Sequence, residues 1–379
     1  MAGVATVLLA VPSVVAALPA SVAPIAPERL AELIRQSASV PHVGYAESVG
    51  RLGVPELPNL KQVSSLLSGT TRIRSWYDSP RSWRFDVIST LGQERDVYGT
   101  PDGEYIWDYG ANLLTEVLGG QPVRLPRAGD VLPPELARRV LGTATGDHLS
   151  ALGPRREAGV SLAGLRVRPA DPDTSVGQVD IWAIPDNGLP VRVEVTARGA
   201  DSPMLVTRFL DLSLQHPATD VLIPNKPPGS GFTSTTAPDI VEALGATAPM
   251  FFPGTLGGKP LHGSEDPAVV FGPGGSEVAT TYITGLPGVA VYGSGLSAFV
   301  VAPLPRNLAG SATDAARKAG ARELTLPGGT GVALSVPPLS VIIERSTVAR
   351  RSYLLAGLVV PAVLERAAAE LSTLPRLGR

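Results

Sequence analysis

The sequence predicts a mainly β (α+β) protein, with one large meandering antiparallel sheet, a few helices and a smaller C-terminal α+β domain. Three observations carry this expectation. Apolar and polar residues alternate with period two in one segment after another. Gly (41) and Pro (37) make up about a fifth of the 379 residues, which favours many strands and turns over long helices. A hydrophobic fraction of 44% against 17% charged residues suits a folded chain with room for two domains.

The chain opens with VATVLLAVPSVVAALPASVAPIAP, which carries no charge before Glu28. Residues 1–26 are expected to be a signal peptide or an N-terminal membrane anchor, because Pro12 and Pro19 argue against a stable buried helix there. Ser21-Val22-Ala23 has the small-x-small pattern of a cleavage site. An extracytoplasmic location follows, either secreted or tethered to the outer face of the cytoplasmic membrane.

Residues 27–236 form the expected first domain. Pro27-Glu28 begins a helix in which Leu30, Leu33 and Ile34 share a face. Strand signals run from there to about Leu214. TTRIRSWYD (Thr70–Asp78) leads into SWRFDVIS (Ser82–Ser89), where Trp83, Phe85 and Val87 point one way and Arg84 and Asp86 the other. ERDVYGT and GEYIWDYG pair across Pro101-Asp102-Gly103 as a hairpin. PPELARRVL (Pro133–Leu141) reads as a helix. Val176–Pro185, Leu189–Gly199 and Met204–Leu214 read as three antiparallel strands, the first two joined by Asp186-Asn187-Gly188.

Residues 237–285 are rich in turn formers and are read as a linker, with a short helix at Pro238–Leu244. The last stretch, 286–379, is read as the small C-terminal domain. Gly288–Leu304 gives one strand or a pair, and Ser311–Gly320 a short helix. VALSVPPLSVIIERS and RRSYLLAGLV give further strands, and Pro361–Leu371 an amphipathic helix.

The residue inventory excludes several functions. Net charge is −2, and Lys stands only at positions 61, 226, 259 and 318, with no basic run interleaved with aromatics, so no nucleic-acid partner is expected. The chain has no cysteine, hence no disulfide, no Cys nucleophile and no Cys-ligated metal. His42, His148, His216 and His262 lack metal-ligand spacing and read as surface or structural histidines. PGTLGGKP departs from the P-loop spacing, and GSGLSA is followed by a strand where a dinucleotide fold needs a helix. DPDTS (Asp171–Ser175) lacks the glycine and distal glutamate of a calcium loop. No catalytic constellation, metal or cofactor is expected.

The aromatics say more. Trp76, Trp83, Tyr105 and Trp107 fall within about thirty residues, and Trp182 follows. Singly, each reads as sheet core. Together, on a curved sheet with few covering helices, they predict an apolar groove. Alternation picks out Trp83, Phe85, Trp107, Trp182, Val193 and Phe209 as its lining, for a lipid or acyl chain.

The order of motifs resembles a known family. A helix precedes Trp-x-Asp-Ser-Pro-x-x-Trp-Arg-Phe (Trp76–Phe85); then come Asp-Gly-x-x-x-Trp-x-Tyr (Asp102–Tyr109), the PPELARRVL helix, Gly-Leu-Pro-Val-Arg-Val-x-Val (Gly188–Val195) and a closing PPGSGF. This order resembles LolA-like lipoprotein carriers and the N-terminal domain of RseB/MucB regulators. It looks most like an exported LolA-type family of high-GC Gram-positive bacteria. The resemblance covers roughly Ala26–Leu371. It implies an unclosed antiparallel β-barrel with a helical lid over an apolar cavity. It also implies one of two roles: carrier or sensor of a lipid or lipoprotein acyl chain, or regulator whose partner is a membrane protein such as an anti-sigma factor or part of the export machinery. The Arg and Phe that work in the carriers match no particular position here, so the resemblance supplies no site residue.

Overall fold

The computed structural model describes residues 20–53, 61–88, 94–118, 126–144, 146–235, 252–262, 269–271, 277–279 and 289–375. Most of the expected N-terminal leader and the helix expected at Pro238–Leu244 lie outside the described residues. Among the described residues no helix is long and apolar enough to cross a membrane.

The first sheet has twelve strands. In chain order they are β1 (His42–Gly50), β2 (Thr70–Ser79), β3 (Ser82–Ile88), β4 (Glu94–Thr100), β5 (Gly103–Asp108), β6 (Leu113–Val117), β7 (His148–Glu157), β8 (Val160–Arg168), β9 (Val176–Ala183), β10 (Pro190–Ala197), β11 (Leu205–Ser213) and β12 (Gly231–Thr235). Their spatial order is β12-β6-β5-β4-β3-β2-β1-β11-β10-β9-β8-β7, so the sheet ends in two separate edges and does not close on itself. The pairs are antiparallel except β12 with β6, which is parallel. That exception makes the sheet mixed. Two-residue turns join β2 to β3, β4 to β5 and β7 to β8. The β9–β10 connection puts Gly188 at φ +71, a left-handed conformation that glycine adopts without strain.

Helix α1 (Pro27–Gln36) forms as its sequence dictates. Pro27 opens it, Glu28 sits at the positive end of its dipole, and the Ser37 hydroxyl donates to the Ile34 carbonyl at its close, 2.7 Å. Its buried stripe is Leu30, Ala31 and Ile34. A short helix, α2 (Lys61–Ser68), packs near β1 and β2. Helix α3 (Pro133–Thr143) begins with two prolines and buries Ala137, Val140 and Leu141. The stripes of α1 and α3 meet Leu165, Val167, Ile181, Val193 and Val195 in one core. A 3₁₀ turn, Ala128–Val131, precedes α3 and brings Ala128, Val131 and Leu132 down onto Ile73, Phe85, Val97 and Ile106. These segments are the lid, and the sheet face beneath them is the lid face.

Residues 252–262 return the chain to a second body. Phe252, Leu256 and Leu261, which composition puts in the linker, are buried in its core. Leu256 belongs to the two-residue strand β13 (Thr255–Leu256), which pairs with β14 (Lys259–Pro260); Phe252 and Leu261 lie on either side of the pair. A separate pair, β15 (Val269–Phe271) and β16 (Glu277–Ala279), follows. The second sheet comprises β17 (Ala290–Tyr292), β18 (Phe299–Leu304), β19 (Arg322–Leu326), β20 (Gly329–Val336), β21 (Leu339–Ser346) and β22 (Arg351–Gly357), ordered β17-β18-β22-β21-β20-β19. Helix α4 (Arg306–Lys318) lays Ala312 and Ala316 on Val332 and Ile343. Helix α5 (Pro361–Thr373) lays Val363, Leu364, Ala367 and Leu371 on Ile342 and Leu355. Adjacent strand residues such as Ile342 and Ile343 face opposite sides, so the two helices cover opposite faces.

The two bodies touch through the Asp171–Ser175 loop and through α3, where Leu296 and Leu358 of the second body pack against the first core and Gly295 lies beside Thr143. The Thr174 hydroxyl donates to the carbonyls of Leu296 (2.6 Å) and Leu358 (3.0 Å). Lys259 Nζ bridges Asp171 at 3.1 Å and Asp173 at 2.8 Å.

Candidate functional site

Strand alternation sorts the predicted lining residues onto two faces. Directly opposed residues share a face. Val193 faces Thr207 and Ile181, and Phe209 faces Ala46; all lie on the lid side. Phe85 faces Val97, and Val97 faces Ile106, on the same side. Trp107 instead faces Asp96, and Trp182 faces Arg192. These two indoles belong to the far face, away from the lid helices. Of the six, Trp83, Phe85, Val193 and Phe209 therefore share a face; Trp107 stands apart, while Trp182, though it points to the other face, belongs with Leu162, Ile184 and Leu189 to the same core cluster as Phe85 and Phe209.

Within the four there is a further division. Val193 and Phe209 have no exposed surface and are core beneath the lid. Trp83 and Phe85 are stacked, centroids 5.1 Å apart and planes 6° from parallel. Glycine makes this stack possible twice over. A Cβ on Gly99 would stand 2.2 Å from the Trp83 indole, and one on Gly129 would stand 2.5 Å from the Phe85 ring. So β4 below and the lid turn above approach the rings as bare backbone.

The stack floors a pocket of about 250 Å³ between β2, β3 and the start of α3, with His42, Tyr77, Leu132 and Arg138 also lining it. Its rim carries three arginines, each with a carboxylate. Arg127 pairs with Glu104, Arg138 with Glu135, and Arg139 with Asp130 at 2.8 Å. The rim is thus polar but charge-balanced, over an aromatic floor. Arg138 also lies over the Tyr77 ring, 5.7 Å from its centroid, and Tyr77 donates to the Ala38 carbonyl at 2.8 Å. His42 stacks on Tyr77 at 5.0 Å and meets Phe209 edge-on at 5.7 Å. Burial holds the His42 imidazole neutral, with a pKa lowered to about 4; the Val40 carbonyl pulls the other way. By spacing alone, His42 reads as a surface or structural histidine. Its groove role was hard to see because the buried residues that follow on its strand, Gly44, Ala46 and Ser48, are small and give no apolar alternation.

The far face carries charge. Arg84 donates to both oxygens of Asp86 (2.6 and 2.8 Å) and to Asp96 (2.9 Å), while its guanidinium lies over Trp76 at 5.1 Å and Tyr98 at 4.9 Å. Asp96 is fully buried. Burial, and then the neighbouring Asp86 charge, raise its pKa to about 7 against the pull of Arg84. Carboxylate oxygens of Asp86, Glu94 and Asp96 lie within 4.8 Å of one another, the one acidic cluster among the described residues that could hold a metal ion. Arg84 already supplies its positive charge. Farther along, Arg155 lies over the Trp182 ring at 5.1 Å, and Trp182 donates to the Gly153 carbonyl at 3.1 Å.

No family model matches the chain, and no curated protein does. Solved structures are similar in fold. The complex of MucA and MucB from Pseudomonas aeruginosa aligns over 90% of this chain and 95% of that one, at 18% identity and a TM-score of 0.41. An uncharacterized conserved protein from Thermus thermophilus aligns over 55% and 98%, at 10% identity and 0.33. A LolA superfamily protein from Nitrosomonas europaea aligns over 53% and 99%, at 11% identity and 0.23.

Proposed function

We propose that this chain is an exported binding protein that holds an apolar ligand, the acyl chain of a lipid or lipoprotein, between the lid and the sheet. The observation that carries this reading is the lidded pocket with the Trp83–Phe85 stack as its floor. Such a floor offers apolar area and no reactive group, and the charge-balanced rim neither attracts nor repels a neutral chain. A volume of about 250 Å³ is just under the roughly 300 Å³ lower bound of ordinary ligand pockets, so the lid turn must shift to admit a long chain.

The test is titration of the protein with a fluorescent fatty acid series at fixed salt, in parallel with thermal unfolding. Each added methylene should tighten binding by about 0.8 kcal/mol, roughly fourfold, until the groove is full. Trp83→Ala, at a half-buried position, should weaken binding by more than tenfold while the protein stays folded. Absence of fatty acid binding by the wild type, or a folded Trp83→Ala protein that binds with unchanged affinity, would sink the proposal.

A further inference from the structure

The far face has a pocket of its own, of about 330 Å³, between β3–β5 and the segment that follows β11. Tyr98, Trp107 and Tyr109 wall it from the sheet, and Asp220 and Ile223 from the covering segment. Trp107 and Tyr109 meet at 5.5 Å and 86°, so the two rings make a corner. Tyr109 is half exposed at the mouth.

The charges around this corner are unbalanced. Arg84 also lines the pocket, but its guanidinium is committed, with three hydrogen bonds to Asp86 and Asp96 and rings on Trp76 and Tyr98 beside it. Against this one cation stand the carboxylates of Asp86 and the pocket residue Asp220, with Glu94 beside them and Asp96 only partly ionised at neutral pH. One oxygen of the fully buried Asp96, Oδ1, has no hydrogen-bond partner. Its other oxygen accepts from the Tyr98 hydroxyl at 3.3 Å, directly behind the aromatic wall. Lys226, next to the pocket residues Asn225 and Pro227, is drawn onto the Phe232 ring at 5.4 Å. Arg95 is paired with Asp108.

We propose that this far-face pocket is a second binding site, for a small organic cation whose alkylated ammonium group enters the Trp107–Tyr109 corner. Aromatic faces attract an alkylated ammonium through the ring quadrupole, and a nearby carboxylate completes the attraction. An anion would meet Asp220 and find Arg84 already committed. A bare divalent ion would have to displace Arg84 from Asp86 and would gain nothing from three aromatic walls.

Calorimetric titration of the full chain with choline chloride at constant ionic strength tests this, with 3,3-dimethylbutan-1-ol as the neutral isostere. Choline should bind, and the isostere at least tenfold more weakly. Tyr109→Ala and Asp220→Asn alter exposed side chains, so both variants should unfold at the wild-type temperature, and each should lose about three- to tenfold in choline affinity. Trp83→Ala should leave choline binding unchanged, which separates this site from the lid groove. The proposal is overturned by no choline binding, by an isostere that binds as tightly, by undiminished affinity in both folded variants, or by a calcium ion that competes with choline at equal concentration.

Discussion

His42 and Glu344 are buried titratable residues with opposite demands on pH. His42 is buried and neutral, with a pKa lowered to about 4 from the usual 6.5. Between those values the unfolded chain takes up a proton that the folded chain refuses. The stability is therefore complete above about pH 6.5 and drains away as pH falls towards 4, by up to about 3 kcal/mol. His42→Phe, which keeps a ring between Tyr77 and Phe209, should abolish that loss in urea unfolding measured across pH 4–7. Glu344, on β21, has no exposed surface and neither carboxylate oxygen has a partner. Burial raises its pKa from 4.5 to about 8. Here the stability is complete below 4.5 and is lost as pH rises through 8, by up to about 5 kcal/mol. The difference between wild type and Glu344→Gln isolates this effect: small at pH 4.5, it should favour the variant by several kcal/mol at pH 9. The sequence gives no warning of either residue. A lone histidine and a glutamate in a strand look alike whether buried or exposed, since burial depends on what the rest of the chain lays over them.

Elements were far more legible than sites. The hairpin across Pro101-Asp102-Gly103, the strand from Ser82 and the prolines opening α1, α3 and α5 all stand where periodicity and capping chemistry put them. Strands β1, β6, β7, β8 and β12 of the first sheet have no counterpart among the expected strands. Gly44, Ala46 and Ser48 carry too little apolar volume to mark β1, and Pro154 with two arginines masks β7. Face assignment failed where the sequence could not index one strand against another. Trp83 stands between Ser82 and Arg84, but Trp107 follows the equally apolar Ile106, and register sends Trp83 to the lid side and Trp107 to the charged side. Trp107 thus stands beside Tyr98 and Arg84 on the charged face, away from the groove it was expected to line. The lid depends on its close approach to Phe85. Gly129→Ala would place a methyl 2.5 Å from that ring. The lid turn or the ring must then move, at a cost of about 1–3 kcal/mol. Thermal unfolding should register this loss, and fatty acid affinity should fall with it.

On the scale of the whole molecule, each of the two sheets has its own core, and Leu296 and Leu358 of the second body pack against the first. Residues 237–285 were read as a linker between domains, and part of that stretch, 252–262, is built into the second core. We propose two folding units whose boundary falls before Phe252. Limited proteolysis followed by mass spectrometry should cut first between Thr235 and Phe252 and leave two resistant fragments. First cuts within β3 or β10 would contradict this division. Lys259 and its two aspartates, together with the Thr174 hydroxyl, should keep the fragments associated after the cut.

The path of the chain after β11 has a further consequence. From the middle of the sheet it crosses the far face and re-enters at the remote edge as β12, bonded to β6 through five parallel positions. An open sheet of this size is an invitation to edge-to-edge aggregation, because an unpaired row of amides and carbonyls will accept a strand from any neighbour. The molecule blunts its two margins differently. Strand β7 carries Pro154 and a break in register between Leu152 and Arg155, with arginines at 155 and 156. A proline, a bulge and charge all discourage a foreign strand. The β6 margin has neither a proline nor a bulge, only the charge of Glu116, and is covered by the chain's own short β12. A polypeptide shortened before Gly231 would lose that cover and leave β6 open to the equivalent strand of another copy, so the segment that walls the far-face pocket also helps keep the protein from assembling on itself.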